Sequence, residues 1–523
     1  MLNLFEHLLF IFFPVFCEEA LTVSALVHFS EMDTGSVAFV IIGGGIAGVS
    51  CAETLVSSNP DITVTIISAS SLIKAVRNVR ELGRTLVSFD IDEMSISDYV
   101  SSNSRIKVVN SVVLRIDHLN QTVVTDKGDN IPYNKLCMCT GASCKTIFPE
   151  NEHVIGLRDT TSATELDMKL AQAQRIIVVG NGGIATELVF QAQNCDVVWV
   201  IKDKSIGHVF FDPGAAEFLL PIMYAKHKTS GSEVESPTKR MTYKINKAKT
   251  FEETRKVFGG ALGPDWHQNL SLKGSAHGTN TISVEYQCQV KQLLNNDVNI
   301  SDRKADGSSW PVYAELTNGR LLGCDFIVSA TGVCPNSGLF DNLPCTFGHD
   351  RGVHIDQNMR VLGVKNVYAA GDVCCTSSWP SSDHWHQMRL WTQAKQMGSF
   401  AAQCMLSHCE QEKKGEEQHL IPDICFDIFA HVTNFFGKKV ILLGRYNAQG
   451  IEDTENLEFL LRSTTGEEYI KVVMLHGRMQ GAVLIGETDL EETFENLILN
   501  GTDLSTLGED LLNPCIDIAD YFD

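Results

Sequence analysis

The chain has 523 residues, with 44% apolar and 20% charged residues, and carries 42 Lys and Arg against 64 Asp and Glu. This length predicts about three domains, because one domain usually holds about 100–200 residues. The net charge of −22 excludes the basic surface to which nucleic-acid phosphate or anionic lipid binds. We therefore expect neither direct nucleic-acid binding nor membrane binding.

The start of the chain contains a short apolar run at residues 8–16, interrupted by Pro14. This run is too short to span a bilayer. It also lacks the positively charged start of a secretory signal. Since Met32 lies just before the first predicted strand, we expect residues 1–31 to be an unused or disordered extension, with a targeting segment as the alternative.

The first predicted unit begins with a buried strand, Phe39–Ile42, followed by a glycine turn, a helix to near Ser58 and a second strand at 64–67. In a dinucleotide fold the first glycine permits the turn, the second admits the pyrophosphate and the third packs helix on strand. Amide N–H groups and the helix dipole then hold the anion. The predicted cradle comprises Gly43, Gly45, Ile46, Ala47 and Gly48.

The same order of elements recurs later in the chain. A buried strand at 175–179 precedes a second glycine turn, a helix and a strand at 197–201, with Ala185 in place of the third glycine. Two such units predict two nucleotide sites. The second predicted cradle comprises Gly180, Asn181, Gly182, Gly183 and Ile184.

Neither unit has the expected carboxylate directly at the end of its second strand. Ser68 takes that place in the first unit and can still bond a ribose hydroxyl. In the second, Lys202 or Lys204 could face a 2′-phosphate, whereas Asp203 could accept from a 2′-hydroxyl. Solvated charges at a strand end are the alternative, so the choice between NADH and NADPH stays open.

The remaining segments differ in composition. Residues 221–307 are polar and predict an insertion into the second unit with short strands near 282–290, and residues 411–417 predict a linker. Alternating strands at 426–443 and 469–485, followed by a helix at 489–499, predict a small α+β domain. Residues 508–523 form an acidic tail. Its end, 517–523, suits insertion into a partner's basic or metal-lined pocket, or is a frayed solvated end.

Three later motifs carry a family resemblance: Thr140-Gly141-Ala142, the segment 330–336 and the segment 367–372. With the two glycine turns they resemble the pyridine nucleotide-disulphide oxidoreductase family, which comprises two-domain flavoproteins, over about residues 37–398. The resemblance implies that Asp372 holds the ribityl hydroxyls of FAD. The further cofactor contacts that it implies are Thr140, Gly141, Thr331, Gly332 and Gly371.

The same resemblance implies the fold class and the domain order. The class is α/β, with two Rossmann-like dinucleotide-binding domains and a small α+β C-terminal domain. An FAD domain at 36–155 and 320–410 is interrupted by an NAD(P) domain at 156–319, and the C-terminal domain follows at 420–507.

Other candidate residues come from the family's pattern. Lys74 occupies the loop where relatives place a cysteine or a flavin-contacting lysine, which suggests a cation near flavin N5. Glu187 matches a residue that orients the nicotinamide. An exposed loop lysine and a helix-face charge are the respective alternatives. Trp385 and Trp391 are interpreted as packing residues and His386 as a core or surface histidine.

The sixteen cysteines are scattered through apolar runs and indicate a reducing compartment. Residues 68–82, where the family's disulfide reductases carry redox cysteines, contain none. We interpret the close pairs Cys137/Cys139 and Cys374/Cys375 as structural. No metal site is predicted.

Together these observations predict an FAD-dependent NAD(P)H oxidoreductase that moves hydride from nicotinamide to flavin N5 without a redox-active disulfide. The alternative is an NAD(P)H-charged flavin sensor with little turnover. Segments 384–391 and 481–490 resemble one member of the family in particular. That resemblance implies a cytoplasmic and nuclear protein that associates with the tRNA-splicing ligase complex and protects it from oxidative inactivation.

Overall fold

A computed structural model describes residues 37–228, 262, 266–268, 270–276, 281–295, 301–380, 382–415, 424–516 and 518. The predicted N-terminal extension, much of the predicted insertion, and residues 517 and 519–523 of the predicted tail lie outside these ranges. Within them, no helix combines the length and the apolar character needed to cross a bilayer.

The first part of the chain builds most of an open parallel sheet. This part of the chain contains the strands β1 (Phe39–Ile42), β2 (Val64–Ser68), β3 (Leu72–Glu81), β4 (Val87–Ser95), β5 (Ile106–Asn110), β6 (Val113–Asp117), β7 (Thr122–Thr125), β8 (Asn130–Pro132), β9 (Lys135–Met138) and β10 (Ala142–Cys144). It also contains the helices α1 (Ile46–Ser58) and α2 (Ile96–Ser102). Strands β9, β1, β2 and β5 lie side by side in that order. Every residue of β1 is buried, as expected for a parallel strand covered on both faces. Strands β3 and β4 pair as an antiparallel hairpin outside this sheet.

The second part builds another parallel sheet. This part of the chain contains the strands β11 (Val154–Gly156), β12 (Arg175–Val179), β13 (Asp196–Val200), β14 (Ile282–Glu285), β15 (Val290–Asn295), β16 (Val312–Leu316), β17 (Leu321–Cys324) and β18 (Phe326–Ser329). It also contains the helices α3 (Thr160–Leu170), α4 (Gly183–Gln191) and α5 (Pro213–Lys228). The order in this sheet is β11-β18-β12-β13-β14. Strands β15, β16 and β17 form a separate antiparallel sheet.

Two features of this sheet differ from the boundaries expected from sequence. Strand β14 falls inside the segment predicted as an insertion, yet it hydrogen-bonds to β13 as the edge of the sheet. Strand β18 follows the boundary predicted at residue 320, yet it lies between β11 and β12. Composition alone does not assign either strand to this sheet, because both strands are only four residues long and pair with strands that lie far away in the chain.

The chain then returns to the first sheet. The returning elements are β19 (Val333–Pro335), β20 (Val353–His354), β21 (Val367–Ala369), β22 (Cys374–Cys375) and α6 (Trp391–Lys414). Strand β21 pairs with β9 and completes the first sheet. The predicted linker at 411–417 is wrong in its first half, because α6 continues to Lys414 and ends at Gly415 with a left-handed backbone.

The C-terminal domain is an antiparallel sheet with one helix. Its elements are β23 (Ala430–Phe435), β24 (Lys438–Gly444), β25 (Leu457–Thr464), β26 (Glu468–Leu475), β27 (Arg478–Ile485) and α7 (Glu491–Asn500). The order is β23-β24-β27-β26-β25. With the two parallel sheets, this domain confirms the predicted fold class.

The C-terminal domain packs on the second sheet through aromatic residues and a buried ion pair. Phe436 meets Phe190 of α4 with ring centroids 5.1 Å apart, and Phe435 meets Phe210 at the same separation. Lys471 lies 2.6 Å from Asp212 and is almost buried. These contacts bring the face of β23 to the α4 side of the second sheet.

The same domain holds the β3–β4 hairpin through one buried carboxylate. Glu495 of α7 is fully buried and accepts hydrogen bonds from the backbone N–H groups of Arg84, Thr85 and Leu86 at 2.6, 2.7 and 3.1 Å. The Thr85 hydroxyl donates to the same group. A single side chain therefore satisfies a buried turn from a distant part of the chain.

Removing this carboxylate is expected to destabilise the protein strongly. Glu495→Ala leaves the N–H groups of the buried residues Thr85 and Leu86 without a partner, which costs about 3 kcal/mol in the free energy of unfolding. Urea unfolding measures the change. The control is Glu492→Ala, an exposed residue of the same helix, for which the loss is below about 0.5 kcal/mol. Equal losses for the two variants would contradict the clamp.

Candidate functional site

A cavity of about 1510 Å³ lies where the carboxyl ends of both parallel sheets meet the first strand of the C-terminal sheet. In open α/β sheets this edge is where ligands bind. Most predicted site residues line the cavity, whereas Gly48, Lys74 and Gly371 do not. Those that line it are Gly43, Gly45, Ile46, Ala47, Ser68, Thr140, Gly141, Gly180, Asn181, Gly182, Gly183, Ile184, Glu187, Lys202, Thr331, Gly332 and Asp372.

The first glycine turn contains two kinds of glycine. Gly43 has φ +121°, and a Cβ there would overlap the Cys139 carbonyl oxygen, while a Cβ on Gly48 would overlap the Gly43 carbonyl oxygen. The fold itself requires both. Gly45 differs, because its backbone is extended and a Cβ there would meet no atom of the described residues within 4 Å.

The second turn repeats this division. Gly180 has φ +132°, and a Cβ there would overlap the Ala330 carbonyl oxygen. Gly182 has an ordinary φ of −95° and open space where a Cβ would lie. Gly45 and Gly182 are also the N-caps of α1 and α4, and neither helix has a side-chain cap. Each turn thus leaves space and amide donors for an anion that approaches the backbone closely.

Two polar residues that line the cavity, Ser68 at the end of β2 and Asn181 in the second glycine turn, bond mainly to the protein itself. Ser68 lines the cavity, but its hydroxyl donates to the Ser70 carbonyl at 2.8 Å. Asn181 is nearly buried, and its amide donates to Asp203 and to the Ser205 carbonyl, both at 2.9 Å, and accepts from the Gly207 N–H at 2.6 Å. Its side chain therefore shapes the loop after β13.

Asp372 is paired with an arginine that sequence reasoning missed. The Arg158 guanidinium donates to the Asp372 carboxylate, and both residues line the cavity. Arg158 follows β11 and lies 214 positions away in the chain, so no local pattern links the two. Gly371 precedes Asp372 and packs against Ala47. A side chain at this position would strain the fold, because the backbone has φ +80° and a Cβ would crowd Ala47.

The two chain crossings between the sheets lie at the middle of the cavity. Strands β10 and β19 pair antiparallel there. The Thr140 hydroxyl donates to the Asn336 carbonyl at 2.8 Å, and the Thr331 hydroxyl donates to the Lys145 carbonyl at 2.6 Å. The two crossings therefore fix the position of the first glycine turn relative to the second. The predicted residues at these crossings are Thr140, Gly141, Thr331 and Gly332.

Comparison with known proteins agrees with this geometry. The family described as pyridine nucleotide-disulphide oxidoreductase matches residues 37–260 and 271–398. The chain belongs to this family. It is a family of NAD(P)H flavoproteins, and its members and structural neighbours include oxidoreductase enzymes.

Several relatives match nearly the full length. The chain is 47% identical to the mouse pyridine nucleotide-disulfide oxidoreductase domain-containing protein 1 over 506 residues, which cover 93% of this chain and 98% of that protein. The human protein of the same name is also 47% identical, over 502 residues with the same coverage. The counterpart in Dictyostelium discoideum is 37% identical, over 92% of this chain and 99% of its own.

Solved structures show the same fold at low identity. A water-forming NADH oxidase from Lactobacillus brevis, bound to NADH, superposes with a TM-score of 0.60 at 15% identity, covering 90% of this chain and 92% of that one. A putidaredoxin reductase in covalent complex with putidaredoxin gives a TM-score of 0.60 at 14% identity, covering 91% and 97%.

The structure does not bring Lys74 to the cavity. Lys74 lies on β3 instead of in a loop, is 4% exposed and donates to Glu93 of the paired strand β4. Burial lowers the pKa of the Lys74 ammonium while Glu93 opposes that change. The predicted cation at flavin N5 therefore has no support from this arrangement, because the hairpin turns the side chain to its own partner.

Glu187 lines the cavity and has a partner that sequence reasoning missed. His267 Nε2 lies 3.0 Å from its carboxylate, and the neighbouring Trp266 and Leu262 also line the cavity. These residues fall within the segment predicted as an insertion. A short stretch of that segment thus covers the α4 end of the site.

Trp385 and Trp391, interpreted from sequence as packing residues, and His386, interpreted as a core or surface histidine, have different surroundings in the structure. Trp385 is buried and stacks on Trp379, with ring centroids 5.4 Å apart. His386 stacks on Phe429 at 4.3 Å, and burial lowers its pKa to about 4. Trp391, by contrast, lines the cavity at the start of α6.

The cysteines that line the cavity are Cys139, Cys144 and Cys288. The Sγ atoms of Cys139 and Cys137 lie 3.6 Å apart, and this hydrogen bond together with burial raises the pKa of Cys139. Burial raises the pKa of Cys144 to about 11. Cys374 and Cys375 are buried in β22, and neither lines the cavity. Across the described ranges, no cluster of three or more His, Cys, Asp or Glu side chains is arranged to hold a metal ion.

Proposed function

We propose that the chain is an FAD-dependent NAD(P)H oxidoreductase that works without a redox-active disulfide. The observation that carries the proposal is the pair Gly45 and Gly182. Both have backbone conformations that alanine adopts freely and open space for a Cβ, so the fold does not explain why they are glycines. A pyrophosphate lying against each helix N-terminus does explain it.

The first turn and the Arg158–Asp372 pair fit FAD. The amides at the start of α1 would hold its pyrophosphate, and Asp372 would accept from ribityl hydroxyls. The guanidinium of Arg158 donates to the Asp372 carboxylate and orients it within the cavity. Ser68, whose hydroxyl is bonded to Ser70, would meet the adenosine ribose through its remaining acceptor capacity.

The second turn and Glu187 fit a nicotinamide dinucleotide. The amides at the start of α4 would hold its pyrophosphate, while the Glu187–His267 pair and Trp266 bound the site beside α4. The crossings β10 and β19 place the two cradles in one continuous cavity. When both cofactors are bound, FAD supplies the hydride acceptor at N5 and the protein supplies position and exclusion of water.

The absence of a thiol step is supported by the environment of the cavity cysteines. Thiolate is the reactive form of cysteine. The pKa of both Cys139 and Cys144 is raised, which disfavours that form. Burial also raises the pKa of Cys374. Cys137, Cys139 and Cys374 are therefore not poised as the nucleophile that a disulfide reductase uses.

An anaerobic titration with NADH or NADPH tests the proposal. We expect the purified protein to bind FAD and its flavin absorbance to bleach with one equivalent of reductant, because no second two-electron centre takes up reducing equivalents. A requirement for two equivalents would indicate a redox disulfide, and protein that binds no FAD would refute the proposal. Steady-state turnover with a small acceptor separates an enzyme from a flavin sensor.

The donor preference follows from one fixed carboxylate. Asp203 lines the cavity and is held by Asn181 at 2.9 Å. Lys202 also lines the cavity, but it is exposed, as is Lys204, so solvent screens both charges. Because a carboxylate repels a 2′-phosphate, we expect kcat/KM to favour NADH over NADPH by about tenfold, and Asp203→Asn to abolish the preference. The control is Lys204→Ala, which does not line the cavity. An unchanged ratio in Asp203→Asn would refute this assignment.

We further propose, from the resemblance to one family member, that the chain associates with the tRNA-splicing ligase complex in the cytoplasm and nucleus and protects it from oxidative inactivation. The net charge of −22 fits a protein partner better than nucleic acid. Ligation activity after oxidant exposure is the measurement. Protection is expected with the wild-type protein and NAD(P)H and not with Gly182→Ala. Protection without NAD(P)H would contradict a redox role.

A further inference from the structure

His431 comes from the C-terminal domain but lines the cavity built by the two dinucleotide units. Side chains of a strand alternate between its faces, so His431, Thr433 and Phe435 of β23 share one face, and all three line the cavity. His431 is 1% exposed. The third domain thus contributes a buried, titratable ring to the wall of the site.

The two ring nitrogens of His431 have different surroundings. Nδ1 lies 3.1 Å from the hydroxyl of Thr392, in the first turn of α6. Nε2 is buried and has no hydrogen-bond partner among the residues that the structure describes. Leaving a buried polar atom unpaired costs about 1–3 kcal/mol, so a ligand that brings a partner to Nε2 is favoured.

The protonation of the ring follows from its burial. Burial lowers the pKa of His431 to about 3, so the ring is neutral at neutral pH and has one N–H donor and one acceptor. Helix α6 begins beside it with no side-chain cap, and Trp391 at that end lies 5.1 Å from the His431 ring. The positive end of a helix favours an electron-rich ligand atom. An electron-rich ligand atom accepts a hydrogen bond, so Nε2 must carry the ring proton and donate it. Nδ1 is then the acceptor nitrogen, and the Thr392 hydroxyl donates to it.

We propose that His431 donates a hydrogen bond from Nε2 to an acceptor atom on the isoalloxazine of bound FAD, and that Thr392 sets the required tautomer. The proposal rests on the proposed FAD binding. The isoalloxazine gains negative charge on two-electron reduction, and a preorganised donor binds a charged acceptor more strongly than a neutral one. His431 therefore raises the midpoint potential of the bound flavin.

The midpoint potential of the FAD-loaded protein tests this role. His431→Phe keeps a planar ring and removes the donor. We expect about a tenfold loss in the preference for reduced over oxidised flavin. For a two-electron couple this is a downward shift of about 30 mV. His431→Gln places an amide N–H near the position of Nε2 and is expected to restore most of the shift.

Two more variants separate this role from a structural one. His384→Phe is the control, since His384 is half-buried and does not line the cavity, and it should leave the potential unchanged. Thr392→Val keeps the shape of Thr392 and removes the hydroxyl at Nδ1. Thr392→Val should lower the midpoint potential by less than His431→Phe does. If His431→Phe fails to fold, the potential of Thr392→Val alone tests the role of His431.

The outcomes distinguish this inference from the proposed function. If the wild-type protein binds no FAD, the proposed function fails. If it binds FAD and neither His431→Phe nor Thr392→Val lowers the potential, only the role of His431 is overturned. An equal shift in His384→Phe would also overturn it, because the effect would then be nonspecific.

Discussion

Replacing Gly45 with alanine is expected to leave the protein folded and to weaken FAD binding by about 10–100-fold. The backbone at Gly45 has φ −82° and ψ −178°, which alanine adopts without strain. No atom of the described part of the chain lies within 4 Å of the added Cβ. That methyl group instead occupies the space through which the pyrophosphate approaches the start of α1. Fluorescence titration of the apoprotein with FAD measures the loss, and thermal unfolding of the apoprotein measures the fold.

Gly43→Ala is the matched control, and we expect it to destabilise the fold, which Gly45→Ala should not do. Its φ of +121° and the overlap with the Cys139 carbonyl mean that alanine strains the fold itself. The apoprotein of Gly43→Ala should therefore unfold at a lower temperature, whereas that of Gly45→Ala should not. Wild-type FAD affinity in Gly45→Ala would show that the first turn does not hold the pyrophosphate.

Replacing Gly182 with alanine is expected to retain FAD and to remove most of its reduction by NAD(P)H. Gly182 has φ −95° and ψ −178°, and its Cβ position is open. The added methyl blocks the second pyrophosphate and leaves the first cradle untouched, since the two turns belong to different sheets. We expect the apparent Kd for the nicotinamide dinucleotide to rise by about 10–100-fold. Stopped-flow bleaching of the flavin absorbance at varied NADH measures it.

Chemical reduction serves as the control for Gly182→Ala. Dithionite should bleach its flavin as it does in the wild-type protein, because the FAD site is intact. Loss of FAD from this variant would show that the two cradles are not independent. Unchanged reduction by NADH would place the nicotinamide dinucleotide elsewhere.

The two cradles could be predicted because their geometry is local. A buried strand, a glycine at positive φ and a helix whose amides face outward all lie within about a dozen consecutive residues, so spacing alone indicates them. Gly43, Gly45, Gly180 and Gly182 were found in this way, and all four line the cavity. The α+β C-terminal domain was also predictable, because its strands alternate and are joined by short turns.

The partners of the site residues were not predictable, because they come from distant parts of the chain. Lys74 was expected beside the flavin, but the pairing of β3 with β4 directs it to Glu93. Arg158 reaches Asp372 only because β11 joins the second sheet near the point where the chain returns to the first. No residue pattern near Asp372 encodes that meeting.

The sequence by itself determined that the chain has two dinucleotide turns, which glycines open toward a ligand, and that no cysteine pair lies in the expected loop. Only the tertiary structure decided that His431 of the third domain, Thr392 of α6 and the Glu187–His267 pair belong to the same cavity. The physical reason is that backbone turns depend on neighbouring residues, whereas ion pairs and buried hydrogen bonds depend on how separate sheets pack. Packing brings together residues that lie far apart in the sequence, and no sequence motif links such residues.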